Sequence, residues 1–241
     1  MFKSVRLSLS EDFPALRFCA AAVVAAFTAV VSVYKIIDIS DAVSSGYTAP
    51  ETMMLIFTDI INTVFIYTPL YLFIIESAVT RRKFGILDVV KIGGRKNFAA
   101  ANLFKVLFYT LIFFALLFII NGAVSLASFP SVNSWSKAFA GTSAIFGYGT
   151  EIFGSVPSQF ITVKLSVFFL TLFVCGMVNT ALSDLLGGKE YAFPISAVIS
   201  IGLSLLTLSG LIGAGVVIPI LLIAAAVLFA VDRGILLKKD F

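Results

Sequence analysis

Long apolar stretches separated by short charged segments dominate this chain and leave it few ways to fold. Residues 14–37, 52–75, 98–126 and 160–182 each reach the roughly 20 residues that a helix needs to cross a bilayer. A last apolar stretch, 191–231, is too long for one helix, and Gly210, Gly213 and Gly215 divide it into 191–210 and 214–231. The pattern predicts an all-α, polytopic transmembrane helix bundle of six spans, a single transmembrane domain over residues 1–241. Composition points the same way. Hydrophobic residues make up 60% of the chain, charged residues only 12%, and mean hydropathy is +1.08. A soluble domain carries about 25% charged residues. With half of that, water could not be the solvent for most of the surface.

Lysine and arginine set the orientation, because they accumulate on the cytoplasmic side of membrane proteins. With the N-terminus in the cytoplasm, only Lys35, Lys137 and Lys164 of the 17 basic residues fall outside. The N- and C-termini are then both expected to be cytoplasmic, 76–97 is a cytoplasmic loop and 127–159 an external one. Lys3 and Arg6 precede an apolar run longer than the roughly 7–15 residues of a signal-peptide core, so a retained first span is expected. The expected location is a bacterial plasma membrane, multi-pass, with lipid as a partner. Phe2, Val5, Leu7 and Leu9 alternate with Lys3, Arg6 and Ser8, which fits either a short interfacial stretch or a plain tail.

Several functions are excluded. The +4 net charge lies in short loops, as topology requires, and makes no groove for nucleic acid. The chain has no histidine, so imidazole metal sites and histidine-based triads are absent. Cys19 and Cys175 both lie in apolar runs and read as small buried residues. The one Gly-Lys pair, Gly188-Lys189, is followed by Glu190 and preceded by Ser183 where a phosphate-binding loop needs glycine. No catalytic constellation, cofactor or metal is expected in this chain, and no internal repeat supports an inverted-repeat transporter.

The 76–97 loop is the most informative segment. Phe84, Leu87 and Val90 recur at helical spacing, and Gly93 and Gly94 end the pattern. Two readings stand: a basic loop that only obeys topology, or a short amphipathic helix that docks a cytoplasmic partner. The chain here resembles the membrane subunits of type-2 ABC exporters, the small six-span permeases. The resemblance rests on Glu76 at the start of the loop, the Gly85-Ile-Leu-Asp-Val-Val stretch, Arg95 before the third span and Lys105 in its first turns. It covers residues 1–120 best. It implies that Glu76, Arg81, Arg82, Lys83, Phe84, Gly85, Leu87, Asp88, Lys91 and Arg95 couple the chain to a separate ABC ATPase subunit, which would carry the ATP. It also implies a second permease copy or a related permease chain. In one respect the chain departs from the family: the junction at 211–216 is too short for the external helices that some members carry before the last span.

Polar residues inside a span are costly and are functional candidates by default. Asp59, Asn62, Thr63, Tyr67 and Thr68 form a polar patch in the second span, and Pro69 is expected to kink it. The patch lines a pathway or a subunit interface, or else Asp59 lies at the outer interface and is solvated. Asn121 and Asn179 are expected to make interhelical hydrogen bonds, and Gly176 with Thr180 is a small-residue packing pair. The aromatic residues of 127–159 read as an interfacial belt or as a re-entrant element. The function expected is the permease subunit of an ATP-driven exporter of peptide, lipid or drug. An ATP-independent carrier or channel is the alternative.

Overall fold

The computed structural model describes residues 14–43, 46–79, 95–143, 153–186, 191–208 and 213–238. Among them there is no strand. In chain order the helices are α1 (Ala15–Val43), α2 (Ala49–Thr58), a π-helical turn (Ile61–Tyr67), α3 (Thr68–Val79), α4 (Arg95–Ser128), α5 (Lys137–Thr142), α6 (Pro157–Leu185), α7 (Ala192–Leu208) and α8 (Ala214–Lys238).

Four helices, α1, α4, α6 and α8, are long and apolar enough to cross a membrane. The chain is thus built as a multi-pass membrane protein. The expected second span is not one helix: Ala49–Thr58 and Ile61–Glu76 meet at a bend of 56° and together make a fifth candidate. The expected break in 191–231 is present, with α7 ending at Leu208 and α8 starting at Ala214. α7 has 17 residues, about 26 Å of helix against a hydrocarbon core of about 30 Å. A count of six requires this short helix to be a crossing too.

α6 is the central element, packed against α2, α3, α4, α7 and α8. α7 runs antiparallel to it. Ser196 Oγ donates to Asn179 Oδ1 (2.6 Å), Cys175 Sγ lies 3.8 Å from Ser204 Oγ, and Thr171 and Thr207 share a 3.1 Å hydrogen bond. Ser196, Ser200 and Ser204 are fully buried, one per turn, so the α7 backbone approaches α6 closely. Gly176 serves the same end on α6. A Cβ there would stand 2.7 Å from Val106 Cγ1 and closer still to the Tyr71 hydroxyl. Phe57, Tyr67 and Phe168 pack mutually at centroid distances of 6.0–6.4 Å, in tilted geometry.

One end of the bundle carries an ordered cap. Thr48 is the N-cap of α2, and its N–H donates to Glu51 Oε2 (2.7 Å). The other carboxylate oxygen accepts the Ser136 N–H (2.5 Å), so one fully buried side chain ties the α1–α2 turn to the segment after α4. Ala49 N–H donates to Pro130 O (2.9 Å), and the Tyr47 and Thr142 hydroxyls bond at 2.6 Å. Burial raises the Tyr47 phenol above its usual range; the Thr142 hydrogen bond opposes this, and the nearby Glu51 charge adds to it. Trp135 stacks on Phe139 (4.8 Å), meets Phe153 edge-on, and donates its indole N–H to Ser155 O. Phe139 is fully buried. The described part of 127–159 is therefore packed as a lid on this end of the bundle.

Glu51→Ala would strand one buried and one part-buried N–H donor. It should destabilise the protein by about 3 kcal/mol, read as a lower thermal unfolding midpoint in detergent. Gly176→Ala should destabilise by about 1–3 kcal/mol through overpacking against Tyr71 and Val106, with Tyr71→Phe recovering part of the loss.

Candidate functional site

The bend in the second span is the candidate site, and its chemistry starts with Asp59. An aspartate side chain competes with the backbone for hydrogen bonds, so it favours helix starts over helix interiors. Asp59 does both jobs at a junction. Its N–H closes the last turn of α2 on Leu55 O (3.0 Å), its backbone is extended (φ −66°, ψ 117°), and its Oδ1 accepts the Ile61 N–H (2.8 Å) to start the next helix. Its carbonyl accepts both the Thr63 N–H (3.0 Å) and the Thr63 hydroxyl (2.8 Å).

The wide turn that follows has a cause further along. Pro69 has no N–H, and a proline ring crowds the carbonyl four residues back, so an ordinary α-turn is unfavourable there. Thr68 instead sends both its N–H and its hydroxyl (2.8 Å) to Thr63 O, five residues back. Sequence reasoning placed a kink at Pro69; the structure shows the bend at Asp59 and a π turn between the two.

The same stretch binds the bundle together. Asn62 Nδ2 donates to Ser32 Oγ of α1 (2.9 Å) and, less closely, to Ile56 O (3.4 Å). Tyr67 donates to Asn121 of α4 (3.2 Å), Thr68 bonds Ser204 of α7 (3.3 Å), and Tyr71 bonds Thr110 of α4 (2.6 Å). The expected interhelical roles of Asn121 and Asn179 are both seen.

A cleft of about 400 Å³ opens at the break. Ser32, Lys35, Ile36 and Ile39 of α1 form one wall; Leu55, Ile56, Thr58, Asp59, Ile60 and Asn62 form the rest. Asp59 is half-buried and Lys35 exposed. Among the described residues no ion pair joins them.

The predicted residues separate into two groups. Asp59, Asn62, Thr63 and Tyr67 come together at the bend, although Tyr67 points into the core away from the cleft lining. Glu76 lies in α3, within reach of the Arg17 charge. Arg17 donates to Phe73 O and its guanidinium sits 4.1 Å above the Phe73 ring, which joins the start of α1 to the end of α3. Arg95 begins α4. Arg81, Arg82, Lys83, Phe84, Gly85, Leu87, Asp88 and Lys91 lie outside the described residues.

Other charged groups went unnoticed as interior ones. Glu51 lies just outside the expected second span of 52–75, yet Thr48-Ala-Pro-Glu51 has the spacing of a capping box. Lys105, Asp184 and Asp232 are all buried, towards the end of the bundle opposite the cap, where Phe98 and Ala99 pack with Leu236. Among the described residues no acidic or cysteine cluster has metal-binding geometry.

No protein-family model, no curated protein and no solved structure matches this chain.

Asp59→Asn keeps a side-chain acceptor for the Ile61 N–H and should leave stability nearly unchanged, whereas Asp59→Ala should cost about 1 kcal/mol as a lost helix cap. Thermal unfolding of the two variants side by side checks the difference.

Proposed function

We propose that this chain is the permease subunit of an ATP-driven exporter of the type-2 ABC kind. It forms the translocation pathway and takes its energy from a separate ATPase subunit that binds the ATP. One observation carries the reading. α3 runs without interruption from the hydrogen-bonded turn at Tyr67 and Thr68 to the basic segment after Val79. A push on residues 80–94 would travel along a single helix to the bend, which is the polar part of an otherwise apolar second span. Further support comes from the resemblance over residues 1–120 and from the missing phosphate-binding loop. In this reading two permease chains pair with two ATPases, and both termini and residues 76–97 face the cytoplasm.

An ATP-independent carrier is the second reading. It is favoured by the broken span and by buried Lys105, Asp184 and Asp232, since interior charges and interrupted helices mark ion-coupled carriers.

The two separate in one experiment. The tagged chain should co-purify with an ABC ATPase from its own cell. Combined Arg81→Glu, Arg82→Glu and Lys83→Glu should cut that recovery by about tenfold or more. Recovery without any ATPase, together with transport in proteoliposomes containing this chain alone, would instead establish the carrier.

A further inference from the structure

The cleft at the bend combines features that neither a packing defect nor a simple pathway lining requires. Its walls carry one cation, Lys35, and one anion, Asp59, and no ion pair joins them. Opposite charges near an apolar medium attract strongly, because water is scarce there to screen them. Two opposite charges that line one cavity without pairing suit a guest that carries both signs.

The other groups narrow the choice. Ser32, Thr58 and Asn62 are already engaged: Asn62 bonds Ser32, and the Thr58 hydroxyl donates to Met54 O (2.8 Å). The remaining lining is aliphatic, with Ile36, Ile39, Leu55, Ile56 and Ile60. A volume of about 400 Å³ lies within the roughly 300–1,000 Å³ of small-molecule pockets. Depth matters too. Lys35 is two turns from the end of α1, about 12 Å along the axis. Centred on a hydrocarbon core of about 30 Å, the roughly 43 Å of α1 leaves the Lys35 backbone about 6 Å inside the interface, a depth from which a lysine ammonium snorkels to the headgroups.

We propose that this cleft binds the head of a zwitterionic amphiphile, its cationic group at Asp59, its anionic group at Lys35 and its apolar part along the isoleucines. This deepens the transport reading, on which its role as a cargo site rests. The guest's chemistry is shared by a lipid entering sideways from the leaflet and by a soluble zwitterion, and the test distinguishes them.

The full chain, purified in a neutral maltoside detergent, is titrated with four probes and the bound molecules are counted by native mass spectrometry. The probes are dodecylphosphocholine, dodecyl phosphate, dodecyltrimethylammonium and the tail-free glycerophosphocholine. One molecule of dodecylphosphocholine should be retained at least about tenfold more tightly than either alkyl probe that carries one sign of charge. Lys35→Gln and Asp59→Asn should each cost about tenfold; the first is an exposed position and the second preserves the helix cap, so both should fold. The double exchange Lys35→Asp with Asp59→Lys should recover part of the affinity. Binding of glycerophosphocholine at equal strength would mean a soluble zwitterion as guest. Equal retention of all three alkyl probes, or no effect of either substitution, would overturn the site. That failure is separate from failure of the transport reading, because ATPase recovery does not depend on these probes.

Discussion

A peptide bond released inside a membrane has no water to turn to, and that constraint governs the centre of this protein. The second span is interrupted at Asp59 and widened before Pro69, so polar groups that a straight helix would satisfy need other partners. The side chains of Asp59, Thr63, Thr68 and Asn62 supply several of them from within the same stretch. The rest of the bundle is arranged around what remains. Asn62 reaches α1, Tyr67 and Tyr71 reach α4, and Thr68 reaches α7. A single irregular segment thus makes specific contacts with helices distant in the chain, where apolar packing alone would discriminate weakly between partners.

The two ends of the bundle are built differently. At one end Glu51, Tyr47 and Trp135 stitch short turns into a lid whose polar groups are paired and whose aromatics are packed. At the other, the charged residues Lys105, Asp184 and Asp232 are buried, where Phe98 and Ala99 pack with Leu236. Between them lies the bend. The bent span leads through the π turn into an uninterrupted α3. The cleft sits at that bend, lined by Lys35 on α1 and by Asp59.

The bundle was largely legible because each long helix carries its own evidence. α1, α4, α6 and α8 are continuous apolar runs, and the glycines around 210–215 separate α7 from α8. The polar patch of Asp59, Asn62, Thr63 and Tyr67 was legible as well, since charge inside an apolar run stands out. The bend was not. Asp59 was read as a polar residue within a helix, when its side chain is the cap that starts a new one. The cleft was unreadable for a different reason: Lys35 and Asp59 belong to different elements, and only packing brings them to one cavity. Glu51 stands between the two cases, with a local capping signal in the sequence and a partner, Ser136, that lies far away in the chain.

Sequence alone therefore determined the solvent and the elements. Hydropathy over about 20 residues is a local property, and it compels helices in lipid whatever their neighbours do. Tertiary structure decided where those helices bend, which polar groups meet and which charges face one cavity. Those outcomes depend on the pairing of hydrogen-bonding groups far apart in the chain, and no local pattern contains that information.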